Sequence, residues 1–202
     1  MATRTLPLFP LGSVLFPGGP LSLRIFEARY VDMVGRCLRE GTGFGIVLLI
    51  GGHEAGGGTT TTASIGTEAR IVDFDQLEDG LLGLTCLGVG RVRILRAWRE
   101  DDGLNVGEVE DLPDDPAAAV PFDCAHLVAA LEQLYPELGG AYERIEPHFA
   151  DAAWVGNRLA ELAPFEPGVK QGLLELGDPL ERLRYLAPLI RLGPDEGPPT
   201  LT

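Results

Sequence analysis

The apolar and polar positions divide the chain into two stretches. Up to about residue 110 the period is two. Leu21, Leu23 and Ile25 alternate with Ser22 and Arg24, and Val92 and Ile94 alternate with Arg91 and Arg93, the spacing of half-buried strands. Short strands are predicted over residues 5–25, broken at Pro10-Leu11-Gly12 and Pro17-Gly18-Gly19-Pro20. Further strands are predicted over 44–50, 65–74, 81–87, 89–98 and 104–109, with hairpin turns at Asp79-Gly80 and Asp102-Gly103. Proline has no N–H to donate, so the proline-bearing strands are expected at edges or bulges. One helix interrupts the strands near residues 28–39. Tyr30, Val31, Val34 and Leu38 recur along it at helical spacing, Asp32, Arg36, Arg39 and Glu40 face out, and Gly41 suits the C-cap.

After "LPDDPAAAVP" (112–121) the period becomes helical. Residues 123–135 carry Leu127, Leu131 and Leu134 on one face, and 151–163 carry Val155, Leu159 and Leu162 behind an Asp151 N-cap. A short helix opens on Pro167 and closes at Gly177. Asp178-Pro179-x-Glu181 then starts the last helix, whose stripe is Leu180, Leu183, Ala187 and Ile190. About seven strands with one inserted helix, then about four helices, is an α+β fold with segregated halves. The expected boundaries are a β-rich unit over 1–112, a helical unit over 113–192 and a disordered tail over 193–202.

Charge separates the same two stretches. Residues 1–100 hold ten basic and ten acidic side chains, whereas residues 101–202 hold six basic and twenty acidic, the whole of the net charge of −14. So acidic a half repels phosphate backbones, which argues against nucleic acid as a partner. The three cysteines, Cys37, Cys86 and Cys124, are odd in number and widely spaced, which speaks against a disulfide framework or structural zinc and fits a reducing compartment. Pro7, Pro10 and Pro17 break what would otherwise resemble a signal peptide. No apolar run approaches the roughly 20 residues needed to span a bilayer, so a cytoplasmic, non-membrane protein is expected.

The chemistry-bearing residues read mostly as structure. "GGHEAGGG" (51–58) lacks the lysine and Ser/Thr of a phosphate loop and reads as a mobile surface loop. Cys124 and His126 are two apart, on different helix faces, and His53 and His148 have no evident partners, so no metal site is expected. Glu143, Glu146, Asp151 and Glu161 read as a solvated acidic face rather than paired catalytic carboxylates. Arg24, Glu27, Arg29, Tyr30 and Arg93 are expected to form a structural polar cluster, with Glu27 at the positive end of the first helix or paired to an arginine of the Arg91/Arg93 strand. Leu8, Leu11, Leu21, Leu23 and Ile25 are expected in the core. Phe9, Phe16, Pro17 and Pro20, an aromatic-bearing rigid turn, are the candidate protein-binding residues.

The order of three blocks resembles the Lon protease N-terminal, or substrate-binding, domain family. The blocks are "LPLFPLGSVLFPGGPLSLRIFEARY", "IGTEARIVDFDQLEDGLLGLTCLGVGRVRI" and "FEPGVKQGLLELGDPLERLRYLAPLI", and the resemblance covers roughly residues 5–192. It implies a twisted, PUA-like β pseudo-barrel followed by a helical bundle. It also implies a module that engages unfolded or exposed polypeptide, with an ATP-dependent protease or chaperone acting in trans, and a chain that stops where the ATPase and peptidase of Lon would begin. No P-loop motif occurs, and Lys170 with Ser13, Ser22 and Ser64 forms no Ser–Lys peptidase motif, so a non-catalytic adaptor without a cofactor is expected. Two other readings stay open. One is a small-molecule binder or enzyme using a pocket at the barrel mouth. The other is RNA binding through Arg91, Arg93, Arg96 and Arg99, suggested by the PUA-like architecture.

Overall fold

The computed structural model describes residues 3–51 and 61–190. The glycine-rich segment read as a surface loop, with His53, and the tail after residue 190 lie outside the described residues. The chain separates into two compact units, Met1–Pro113 and Asp114–Thr202.

The first unit is a strongly bent sheet. Its strands are β1 (Thr3–Leu11), β2 (Pro20–Ile25), β3 (Phe44–Gly51), β4 (Thr61–Thr62), β5 (Ile65–Gln76), β6 (Leu82–Arg99) and β7 (Asn105–Asp111). β1 pairs with β7, β7 with β6, β6 with β5, β5 with β3, and β3 runs parallel to β1, which closes the ring. β-Bulges between Thr67 and Ala69, Ile71 and Asp73, and Ile94 and Arg96 supply the bends that closure needs. The α+β class read from the sequence and the β pseudo-barrel implied by the resemblance are present.

The two predicted strands 81–87 and 89–98 are one strand, β6. Its first part pairs with β2 and β5, and its second with β5 and β7. Gly88, which falls between the two predicted strands, lies inside β6 and is a point of close approach. Phe16 to Gly19 form a type II turn with Pro17 at its second position and Gly18 at φ 70°, closed by Gly19 N donating to Phe16 O at 3.0 Å. Gly18 N donates to Gly88 O, and Gly88 N to Gly19 O, both at 2.8 Å. A Cβ at Gly88 would collide with the Phe16 carbonyl. Beside it the buried Thr67 hydroxyl donates to Leu15 O at 2.6 Å.

β1 is not an edge strand, contrary to the reading of its prolines. Residues 3–8 pair with β7 and residues 8–11 with β3, so Pro7 and Pro10 each sit where the strand has one partner and the missing N–H breaks no ladder.

The inserted helix α1 (Ala28–Glu40) ends at Gly41, which takes the left-handed conformation expected of it. Its buried stripe is Tyr30, Met33, Val34 and Cys37, with Phe9, Phe44, Ile46, Leu104 and Val106 in the same core cluster. Val31 and Leu38, assigned to that stripe from the sequence, stand exposed. The 30/33/34/37 spacing follows one helix face more closely than 30/31/34/38.

The second unit holds α2 (Ala125–Leu134), α3 (Ala152–Leu162), α4 (Pro167–Glu175) and α5 (Pro179–Leu186). Asp151 caps α3, accepting from Ala153 N and Trp154 N, and Asp178 caps α5, accepting from Leu180 N and Glu181 N. α3 packs on α5, with Gly156 meeting the stem of Arg182. No helix among the described residues is long and apolar enough to cross a membrane.

Candidate functional site

The first unit has a half-open cleft of about 320 Å³ lined by Phe9 and Leu11 of β1, Ser22 to Ile25 of β2, and Phe26, Glu27 and Tyr30 at the start of α1. The local sequence explains its shape. β2 alternates, so Leu23 and Ile25 turn inward while Ser22 and Arg24 turn out. Phe26 falls between the inward-facing Ile25 and the start of α1 after Glu27, and its ring is 64% exposed. Phe9 stacks on Tyr30 with ring centroids 4.1 Å apart and 30° between planes, and Phe44 lies behind at 6.1 Å.

A buried cation backs this aromatic wall. The Arg29 guanidinium lies 4.7 Å from the Tyr30 ring centroid, pairs with Glu27 at 2.7 Å and donates to Gly103 O at 2.8 Å. Burial pushes the Tyr30 phenol above its ordinary value. Glu27 is the N-cap residue of α1 by backbone, but its carboxylate makes no cap hydrogen bond, the Arg29 pairing taking its place.

The expected polar cluster is therefore divided. Glu27, Arg29 and Tyr30 come together. Arg24 pairs with Asp79, and Arg93 pairs with Glu110 at 3.4 Å rather than with Glu27. Among the candidate contact residues, Phe9 is 8% exposed and lines the cleft, whereas Phe16 is 0% exposed, held in by the turn on Gly88. Pro17 and Pro20 are half-buried.

The remaining arginines of β6 are engaged within the unit. Arg91 donates to Pro113 O at 3.2 Å, Arg96 lies 5.9 Å from the Trp98 ring centroid, and Arg99 donates to Gly103 O at 2.9 Å. In the helical unit the acids are not all a solvated face. Glu161 is buried against Arg158 at 2.9 Å and accepts from Tyr142, and burial raises its pKa. Lys170 donates to Glu161 O at 2.7 Å, and His126 contacts Ala187 O at 3.1 Å. Cys37, Cys86 and Cys124 are all buried, and burial pushes the Cys86 thiol up to about 12.

Phe26 was not picked out as a site residue from the sequence, although its place between an alternating strand and a helix start marks it as a side chain without a core position. Leu11, Leu23 and Ile25, assigned to the core, also form the cleft wall.

Comparison with known proteins agrees with this architecture. The model of the ATP-dependent protease La (LON) substrate-binding domain matches residues 5–191. Lon protease 2 of Myxococcus xanthus is 25% identical over 193 residues, covering 93% of this chain and 23% of that protein. The Lon protease of Anaeromyxobacter dehalogenans is 24% identical over 191 residues, 92% and 23% respectively. The chain thus spans about a quarter of the length of these curated relatives. The crystal structure of a Lon N-terminal domain protein from Xanthomonas campestris superposes with a TM-score of 0.76 at 40% identity, covering 91% of this chain and 96% of that one. The N-terminal domain of a Mycobacterium avium complex Lon protease, 18% identical with a TM-score of 0.62, shares the fold. With a family match that spans nearly the whole chain and a barrel-plus-helices fold found in Lon N-terminal structures, this protein belongs to the Lon substrate-binding domain family.

Proposed function

We propose that this protein is a non-catalytic module that binds exposed polypeptide segments in the cleft between β1, β2 and the start of α1, and presents them as an adaptor to an ATP-dependent protease or chaperone. The observation that carries the reading is the cleft itself. Phe9, Leu11, Leu23, Ile25, Phe26 and Tyr30 give it an apolar wall, of which Phe26 is 64% exposed. Affinity comes from covering that surface, about 25 cal/mol per Å² of apolar area before the costs of association. Family membership supports the same reading. The buried thiols and the arginines engaged in internal contacts offer little to covalent chemistry or to a phosphate backbone. The test is titration with a permanently unfolded polypeptide and its folded counterpart. Binding of the unfolded form alone, abolished by Phe26→Asp, is expected. Equal or absent binding of both would contradict the proposal.

The cleft volume of about 320 Å³ also falls at the lower end of small-ligand sites. A small apolar molecule that binds and displaces no polypeptide would favour that second reading.

A further inference from the structure

β2 is paired with β6 along all six of its residues and with no other strand among the described residues. Its outer edge runs along the cleft, which consecutive residues Ser22 to Glu27 line. An unpaired edge offers backbone N–H and C=O groups at every second residue, and an added strand satisfies them.

The two faces of that edge differ. Inward lie Leu23, Ile25 and the aromatic wall. Outward, the row Arg24–Gly83–Asp75 crosses β2, β6 and β5. Gly83 has no side chain, and the Asp75 carboxylate lies over it, with Oδ1 2.5 Å from where a Cβ would stand. An open hollow of about 620 Å³ covers this face, lined by Ser22, Arg24, Asp75, Glu78, Asp79 and Thr85 among others. Arg24 is paired with Asp79, so Asp75 and Glu78 leave the hollow net acidic.

We propose that an extended polypeptide segment adds to the free edge of β2 as a further strand, seats alternate apolar side chains in the cleft and extends a basic side chain across the small Ser22 toward Asp75. The inference rests on the peptide-binding reading of the cleft and names the segment it selects: apolar and basic residues in alternation. Neighbouring strands lie about 4.8 Å apart, so a strand outside β2 sits about 10 Å from β6, and Asp75, over Gly83, is one diagonal step from the Ser22–Thr85 row, at the limit of an extended lysine or arginine with its hydrogen bond. A helical segment in the same cleft would leave the β2 edge unpaired.

The test uses a fluorescently labelled nine-residue peptide alternating leucine or phenylalanine with lysine, read by anisotropy. One series places an N-methyl group on each backbone nitrogen in turn. A second replaces lysine with glutamate, and a third reorders the same residues to a helical period. Strand addition predicts losses of about tenfold at every second N-methyl position and little between them. It also predicts tighter binding of the lysine peptide than of the glutamate or reordered peptide. Asp75→Asn with Glu78→Gln is expected to abolish the lysine preference, whereas diffuse attraction to the acidic chain would survive those changes. A flat N-methyl profile, or a lysine preference indifferent to Asp75 and Glu78, overturns strand addition and leaves the cleft as a peptide site. Absence of binding by every peptide overturns both.

Discussion

The barrel and the helical unit use charge in opposite ways. Around the barrel cleft, charges stay at the rim or back an aromatic wall, as Arg24, Glu27 and Arg29 do, and the cleft interior is apolar. The helical unit encloses two arginines completely, Arg158 and Arg182, both 0% exposed. Arg182 donates to Asp115 at 2.7 Å, to Leu173 O at 3.0 Å and to Leu176 O at 2.6 Å, joining the segment before α2 to the end of α4. An enclosed ion pair fixes one arrangement, because breaking it strands a charge. An apolar cleft with an unpaired strand edge leaves a surface for another chain to complete. On the proposed function, recognition belongs to the barrel and a fixed architecture to the helices.

The largest effect expected from breaking this contrast is at Arg182. Arg182→Met removes three hydrogen bonds and the ion pair that links the half-buried Asp115 to α5, costing about 3–5 kcal/mol. Urea denaturation followed by labelling of Cys124 is expected to show early exposure of the helical unit, while Cys37 and Cys86 of the barrel stay protected. Gly88→Ala is expected to cost about 2–3 kcal/mol, because the new methyl group meets the Phe16 carbonyl, and here Cys37 and Cys86 become exposed first.

Alkaline pH sharpens the same comparison. Burial raises the folded Cys86 thiol from 9.0 to about 12, while the unfolded thiol ionises near its ordinary value. Between those values the unfolded state binds fewer protons, so barrel stability falls by about 1.4 kcal/mol per pH unit for this thiol. Cys86→Ala removes that slope in a denaturation series over the same range. A smaller loss, about 1 kcal/mol, is expected for Thr67→Val, which leaves Leu15 O without its donor. The smallest belongs to the site. Phe26→Ala changes the melting free energy by under about 0.5 kcal/mol, because most of the ring is already in water, yet it weakens polypeptide binding.

Much of this was legible in the sequence wherever a local rule decides the outcome. Asp151 and Asp178 cap helices as their positions dictate, and Gly80 and Gly103 take positive φ in the two hairpin turns. What depends on distant partners was not legible. Gly88 falls between two predicted strands, and its place inside β6 shows only once Phe16 is seen packed against it. Arg158, Arg182 and Glu161 look like surface charges until their partners close over them. Phe9, Glu27 and Tyr30 stood out in the sequence as contact or polar residues, and the cleft brings them together. Leu23 and Ile25 carry a strand pattern that reads as core, and only the absence, among the described residues, of a strand outside β2 shows that their edge is open.

The most direct test of the central claim locates the bound chain. An unfolded polypeptide carrying photoreactive leucine is mixed with the protein, irradiated, and the adducts are mapped by mass spectrometry. Adducts are expected on residues 9–11, 22–30 and 75–85 of the barrel, and to disappear in Phe26→Asp. Adducts concentrated on residues 122–190, unaffected by that substitution, would contradict the assignment of recognition to the barrel cleft.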